Sequence, residues 1–183
     1  MYIKFFAFVF VAFSTTACSN SKKAMVTPDQ PLATYEVLKD NDGSKMLKGI
    51  VTKDQITQDT SFHWYADNLK FFKPDADAIA AVKAKAEKIS IVIFGGTWCH
   101  DTQNLLPKYL SLLDAAQFPA SQLTLIAVDR AKTTIGNIQK PFNITNVPTA
   151  IVMKDGKEVG RIIEYGKTAL VDKELGAIIA SIQ

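Results

Sequence analysis

The stretch Ile89–Thr102 changes character halfway, and that change dictates what must surround it. Ile89 to Phe94 is a short, mostly β-branched apolar run, too short for a buried helix and suited to a strand covered on both faces. Gly95 and Gly96 end it. Beyond Trp98 and Cys99, the residues Thr102, Leu105, Leu106, Tyr109, Leu110 and Leu113 recur at helical spacing and predict a helix over 99–116. Cys99 therefore sits where a buried strand turns into a helix. Unpaired N–H groups and the positive end of the helix dipole favour an anion there, so a thiolate would be stabilised.

Elements of the same two kinds flank this centre. Residues 75–87 are Ala-rich, with acids first and lysines late, which predicts a helix. Gln122–Asp129 reads as the next buried strand, followed by a weaker helix around 135–139. Strands 149–154 and 158–165 join across Asp155-Gly156 as an antiparallel hairpin, and an amphipathic helix over 169–181 follows. Pro107 is expected to kink the helix that Cys99 starts. Upstream, Tyr35–Lys39 and Met46–Val51 flank the turn Asn41-Asp42-Gly43 and predict another hairpin, and Thr52 with Gln55 can cap a short helical turn. The text after Asp59 reads as one helix ended before Pro74, with Phe62, Tyr65 and Leu69 on a face that packs against the main domain. The order predicts an α/β sandwich with a mixed central sheet flanked by helices, residues 75–183, preceded by an N-terminal extension, residues 35–74.

At 183 residues, 48% of them hydrophobic, the chain can bury a core without disulfides or a metal. A net charge of +3, with Arg130 and Arg161 as its arginines and no dense basic run, leaves nucleic-acid binding without an electrostatic footprint. Lys4, the apolar run Phe5–Phe13 and the small residues Ser14 to Ala17 predict a signal peptide over 1–17. Cys18 follows directly, as in a bacterial lipoprotein signal, so it is the expected lipidation site. Residues 18–34, with Pro28 and Pro31, read as a tether. The expected location is outside the cytoplasm, on a membrane-anchored lipoprotein facing the periplasm or cell exterior. If Cys18 is consumed by the anchor, Cys99 is the single thiol left and can form no internal disulfide.

Residues 75–183 resemble the thioredoxin superfamily. The resemblance is carried by Trp98-Cys99 at the strand-to-helix turn, Pro107 eight residues on, and Asp129 closing the second strand. Val147-Pro148-Thr149 matches the family's cis-proline loop, and Asp155-Gly156 and Gly166 match its hairpin turn and final glycine. In that family the motif is Cys-x-x-Cys: the first thiolate attacks a disulfide and the second resolves the mixed disulfide. Here the matching residues are Cys99-His100-Asp101-Thr102, a Cys-x-x-Thr motif. Thr102 can donate a hydrogen bond to the thiolate but cannot carry a disulfide. The buried acid that many thioredoxins hold six residues before the nucleophile is Ile93.

The resemblance implies Cys99 as nucleophile, with Thr102 and His100 assisting. Protonated His100 stabilises a neighbouring thiolate, and Asp101 opposes it. Trp98, Asp101, Val147, Pro148 and Thr149 are expected to line the groove for a substrate segment. The expected activity is thiol–disulfide exchange on envelope protein disulfides, with an external reducing thiol completing the cycle. Two alternatives stand beside it: a polypeptide-binding module without turnover, and a thiol peroxidase passing through a sulfenic acid at Cys99. With His63 and His100 as the histidines and a single available thiol, no metal and no other cofactor is expected.

Overall fold

The structure, a computed structural model, describes residues 34–183. Cys18, the apolar run before it and the tether lie outside the described residues. The first strands, β1 (Tyr35–Lys39) and β2 (Lys45–Val51), form an antiparallel hairpin with Val37 opposite Leu47. Its turn closes through Gly43 N–H to Asp40 O (2.9 Å) and Asp40 N–H to Ser44 O (2.8 Å), with Gly43 at φ +83°. That left-handed backbone angle is the reason for glycine there.

Helix α1 (Lys53–Thr57) starts on a capping box: Thr52 Oγ1 accepts from Gln55 N–H, and the Gln55 side chain accepts from Thr52 N–H. The single helix expected after Asp59 is broken. The chain makes a 3-10 turn at Thr60–Phe62, then a four-residue helix α2 (Trp64–Asp67), then turns up to Pro74. The cause lies in what is buried. Phe62 and Trp64 are both in the core, and residues two apart point to opposite sides of a regular α-helix, so a continuous one could not bury the pair. Tyr65 and Leu69, two of the three residues expected on the packing face, are only half-buried.

Helix α3 (Ala76–Lys85) is capped by Asp75, whose carboxylate accepts from the N–H groups of Asp77 and Ala78. Strand β3 (Ser90–Gly95) leads into helix α4 (His100–Ala115), which runs on through Pro107. Strand β4 (Leu123–Ala127) follows. The weak helix expected around 135–139 is a lone 3-10 turn at Ile135–Asn137, because Gly136 (φ +68°) and Asn137 (φ +55°) adopt left-handed conformations that no right-handed helix can continue. Strands β5 (Thr149–Lys154) and β6 (Lys157–Ile163) form the second hairpin, and helix α5 (Val171–Ala180) closes the fold.

The six strands make one mixed sheet in the order β1-β2-β4-β3-β5-β6, parallel between β3 and β4 and antiparallel elsewhere. The N-terminal hairpin is thus part of the main sheet, joined to β4 with Gly49 opposite Ala127. Period-two alternation along β3 sends Ile91 and Ile93 to one face and Val92 and Phe94 to the other. The first face packs on the helices through Leu105, Tyr109, Leu112, Leu175 and Ile179. The second is covered by the long connection between β4 and β5, through Ile138, Phe142, Ile144 and Val147. Covering Phe94 brings that connection, and the residues just before β5, against the end of β3.

Candidate functional site

Two glycines let the helix start close to the strand end. A Cβ on Gly95 would lie 2.8 Å from Thr102 Cγ2, and one on Gly96 would lie 2.6 Å from the Trp98 ring. The loop they open is pinned at several points. Cys99 N–H donates to Gly96 O (2.9 Å), and Cys99 O accepts from Gln103 N–H (2.9 Å), which makes Cys99 the N-cap of α4. Buried Thr97 accepts at Oγ1 from Leu47 N–H of β2 (3.1 Å) and at its carbonyl from Gln103 Nε2 (2.8 Å). The N-cap side chain makes no hydrogen bond to the first turn of α4, so N–H groups of that turn are left without a side-chain cap at the end of the helix where Cys99 stands.

Cys99 is a free, half-buried thiol. Its one hydrogen-bond partner among the described residues is Val147 O, to which the S–H donates at 3.3 Å. Val147 belongs to the loop before β5, and the Val147–Pro148 peptide bond is cis. The loop is fixed on its other side: Pro148 O accepts from Glu164 N–H (2.7 Å), Thr149 Oγ1 donates to Asn146 O (2.8 Å), and Asn146 Nδ2 donates to Glu164 Oε1 (2.9 Å). Val147, Pro148 and Thr149 are all buried, so what this loop presents at the sulfur is backbone.

Thr102 is brought to the site, but not in the role expected of it. Its side chain is 1% exposed and its hydroxyl accepts from the N–H of Gly96 (3.1 Å), with no bond to Cys99. The reason is local. Gly96 N–H is buried at a strand end with no ladder partner, and leaving such a donor unpaired costs about 1–3 kcal/mol. Below Thr102 the surroundings are apolar, lined by Ile93, Leu106 and Ala127. His100 is exposed at the first position of α4, and Asp101 is half-buried in the same turn. His63 is exposed and pairs with Asp67 (3.0 Å).

Trp98 stands beside the thiol, its Nε1–H donating to Val128 O at 2.9 Å. The Arg130 guanidinium carbon lies 4.9 Å from the Trp98 ring centroid, a cation–π arrangement. Arg130 in turn forks onto Asp40 at the end of β1, with Nε to Oδ1 and Nη2 to Oδ2 at 2.7 Å. The hydrogen bond with Asp40 pushes the Arg130 pKa above its usual value against the effect of burial, and the charge of Cys99 adds a smaller push the same way. Sequence reasoning missed both residues. A pairing across ninety positions leaves no local signal, and Asp40 stands in the sequence just outside the turn Asn41-Asp42-Gly43 with nothing to single it out. Next to Arg130, Asp129 accepts from Lys48 Nζ (2.7 Å) and from Thr133 N–H and Oγ1 (2.9 and 2.6 Å). Burial pushes its carboxyl up, but these hydrogen bonds outweigh it and hold the pKa below the usual carboxylate value.

Further along α4, Asn104 Nδ2 donates to the Tyr165 hydroxyl (3.0 Å), and Ile163 and Tyr165 leave apolar surface exposed. Among the described residues the arrangement offers one half-buried sulfur, a backbone carbonyl and an indole beside it, and no second thiol. Among the described residues, no three His, Cys, Asp or Glu side chains group to hold a metal.

The family model for thioredoxin matches residues 72–175, more than half of the chain. An H-type thioredoxin of Oryza sativa subsp. indica is 27% identical over 112 residues, covering 60% of this chain and 87% of that protein. A thioredoxin of Echinococcus granulosus is 29% identical over 89 residues, covering 49% of this chain and 77% of its own length. A TPR repeat-containing thioredoxin of Arabidopsis thaliana is 28% identical over 99 residues, but the chain spans only 24% of its length. Among solved structures, the reduced Schistosoma mansoni thioredoxin pre-protein aligns with a TM-score of 0.37 at 23% identity, covering 58% of this chain and 94% of that one.

Proposed function

The chain belongs to the thioredoxin family, and from that premise we propose that it carries out thiol–disulfide exchange through the single nucleophile Cys99. Thiol–disulfide redox chemistry is what the fold supports in general. The observation that carries the finer reading is the pairing of a half-buried, helix-capping Cys99, 3.3 Å from Val147 O, with Thr102 at the position where a resolving thiol would stand.

The step balances as follows. The Cys99 thiolate attacks one sulfur of a partner disulfide. That S–S bond breaks, a Cys99–partner disulfide forms, and the other partner sulfur leaves as a thiolate that takes a proton from water. With Thr102 unable to attack, an external reducing dithiol opens the mixed disulfide. Its first sulfur takes the place of Cys99, and its second closes a disulfide within the donor and releases the partner as a thiol. Two electrons pass from the dithiol to the partner. Val147 O and the neighbouring backbone orient an extended partner segment, and Trp98 limits how it approaches.

The reading extends to location. The apolar run Phe5–Phe13 before Cys18 supports export and lipid anchoring, and hence partners in the cell envelope. Among the described residues no helix is long and apolar enough to cross a membrane. Cys18→Ser should block acylation, read as loss of label from a fatty-acid probe. The function itself is tested by trapping in the native envelope: mixed disulfides should accumulate with the unmodified chain and vanish with Cys99→Ser. Absence of any trapped protein, together with reversible binding of unfolded polypeptides by Cys99→Ser, would favour a binding module instead.

A further inference from the structure

The hairpin β1–β2 lies outside residues 72–175, the part matched by the thioredoxin model, yet it reaches the redox site. Leu47 N–H holds Thr97 and Lys48 holds Asp129, as described above. The contact from Asp40 differs in kind, because it ends on the aromatic wall beside the nucleophile. Asp40 is fixed at both ends. The hairpin turn pins its backbone, and its side chain is 3% exposed. Oδ2 takes Arg130 Nη2 at 2.7 Å, while Oδ1 takes Arg130 Nε and Asn41 N–H (2.8 Å). A two-point fork sets the plane of the guanidinium as well as its charge, which a lysine could not reproduce. Arg130 itself is about half exposed, and among the described residues its side chain hydrogen-bonds to Asp40 alone, which keeps its plane over the indole. From the carboxylate the order passes to the guanidinium, then to the Trp98 ring 4.9 Å away, whose polar edge is tied to Val128 O.

We infer that Asp40 is a positioning residue for the chemistry at Cys99: acting through Arg130, it holds the Trp98 indole as the wall against which a partner segment must lie. The N-terminal hairpin thereby sets the rate at which Cys99 exchanges with a polypeptide disulfide. This rests on the exchange activity proposed above. An ion pair with a purely structural role would change stability and leave exchange in the folded protein alone. A positioning role predicts that exchange with a polypeptide falls, that attack on a small reagent does not, and that the Trp98 environment changes at the same time.

The test uses the full chain carrying Cys18→Ser, so that Cys99 is the sole thiol, and compares it with Asp40→Asn, Arg130→Gln and the double variant in that background. Three quantities are read under conditions where each variant is folded: the rate of exchange with a fluorophore-labelled peptide disulfide, the rate of alkylation by iodoacetamide, and, with Trp64→Phe added, the emission and acrylamide quenching of Trp98. Each single variant should lose about tenfold in peptide exchange, the double variant should lose no more than either single one, and Trp98 should become more quenchable in all three. Alkylation should stay within about twofold of the parent. Arg130→Gln keeps the test open should Asp40→Asn fail to fold. Unchanged peptide exchange, losses that multiply in the double variant, or an unaltered Trp98 signal would overturn the inference. If the parent itself exchanges with no peptide disulfide, the proposed function fails and the rate claim with it, while the fluorescence arm still decides whether Asp40 holds Trp98.

Discussion

Replacing Thr102 by valine separates the two roles open to that side chain. The substitution keeps the size and the branched shape, so the methyl packed against Gly95 stays, and only the hydroxyl that accepts from Gly96 N–H (3.1 Å) is removed. Both ends of this bond are buried, with Thr102 at 1% exposure, so water cannot take over as acceptor. The loss should therefore be close to the desolvation penalty of an unpaired buried amide, about 1–3 kcal/mol. For a domain of this size that is a fall in Tm of roughly 2–4 °C per kcal/mol. Thr102→Ser is the control. It keeps the acceptor and loses one buried methyl, about 0.8 kcal/mol from transfer with a little more for the space left behind. The expected stability order is native, then Ser, then Val, read as urea midpoints at constant m.

Exchange kinetics give the second axis. Because the hydroxyl makes its bond to Gly96 and not to Cys99, Thr102→Val should exchange with a peptide disulfide within about twofold of the native rate wherever it is folded. A valine variant as stable as the native chain but tenfold slower in exchange would refute the reasoning. It would show that the hydroxyl serves the sulfur, as the motif alone suggests.

Thr102→Cys should create a Cys-x-x-Cys pair and raise dithiol reductase activity above that of the native chain, measured by insulin reduction with a dithiol donor. Gly95→Ala should destabilise the fold by about 1–3 kcal/mol, since the new Cβ would sit 2.8 Å from Thr102 Cγ2 in a packed interior; a urea melt checks it. Asp129 should make stability fall in acid. Its pKa is held below the unfolded value, so its contribution is present above about pH 3.9 and is lost as pH falls through the folded pKa, and Asp129→Asn should flatten urea midpoints measured from pH 6 to pH 3.

What could be read from the sequence was what local chemistry dictates. The apolar run before Gly96 forms β3 as Ser90–Gly95, the Ala-rich stretch expected as a helix over 75–87 forms α3, and Thr149–Lys154 forms β5 with the expected bounds, because apolar runs, helix propensity and turn residues act over a few positions. Phe62 and Trp64 defeated the helical reading of their segment because tertiary burial overrode spacing. At the site, Cys99 and the loop around Pro148 carry motifs, whereas the Asp40–Arg130 fork and the bond from Leu47 to Thr97 join residues far apart in the chain. No pattern in either segment names its partner. Thr102 is a third case: its position was legible and its bond was not, since the motif does not reveal that the buried N–H of Gly96 needs an acceptor at the strand end.

The two departures from the family pattern belong together. A resolving thiol buried at position 102 would need a group to take its proton, and the place where many thioredoxins hold an acid is occupied by Ile93, 1% exposed. With Thr102 above it and Leu106 and Ala127 alongside, the underside of the site is apolar, and a charge introduced there would meet no partner. Restoring only the thiol therefore restores only part of the machinery. Thr102→Cys should form its internal disulfide, and so release a partner held on Cys99, more slowly than a site with the acid in place. Ile93→Asp alone should cost stability, because it buries an unpaired carboxylate. The outward half of the site needs none of this. Cys99 is half-buried at the start of α4 with Val147 O and the Trp98 ring beside it, so under the proposed exchange a mixed disulfide on Cys99 should be opened by a reducing thiol arriving from solvent.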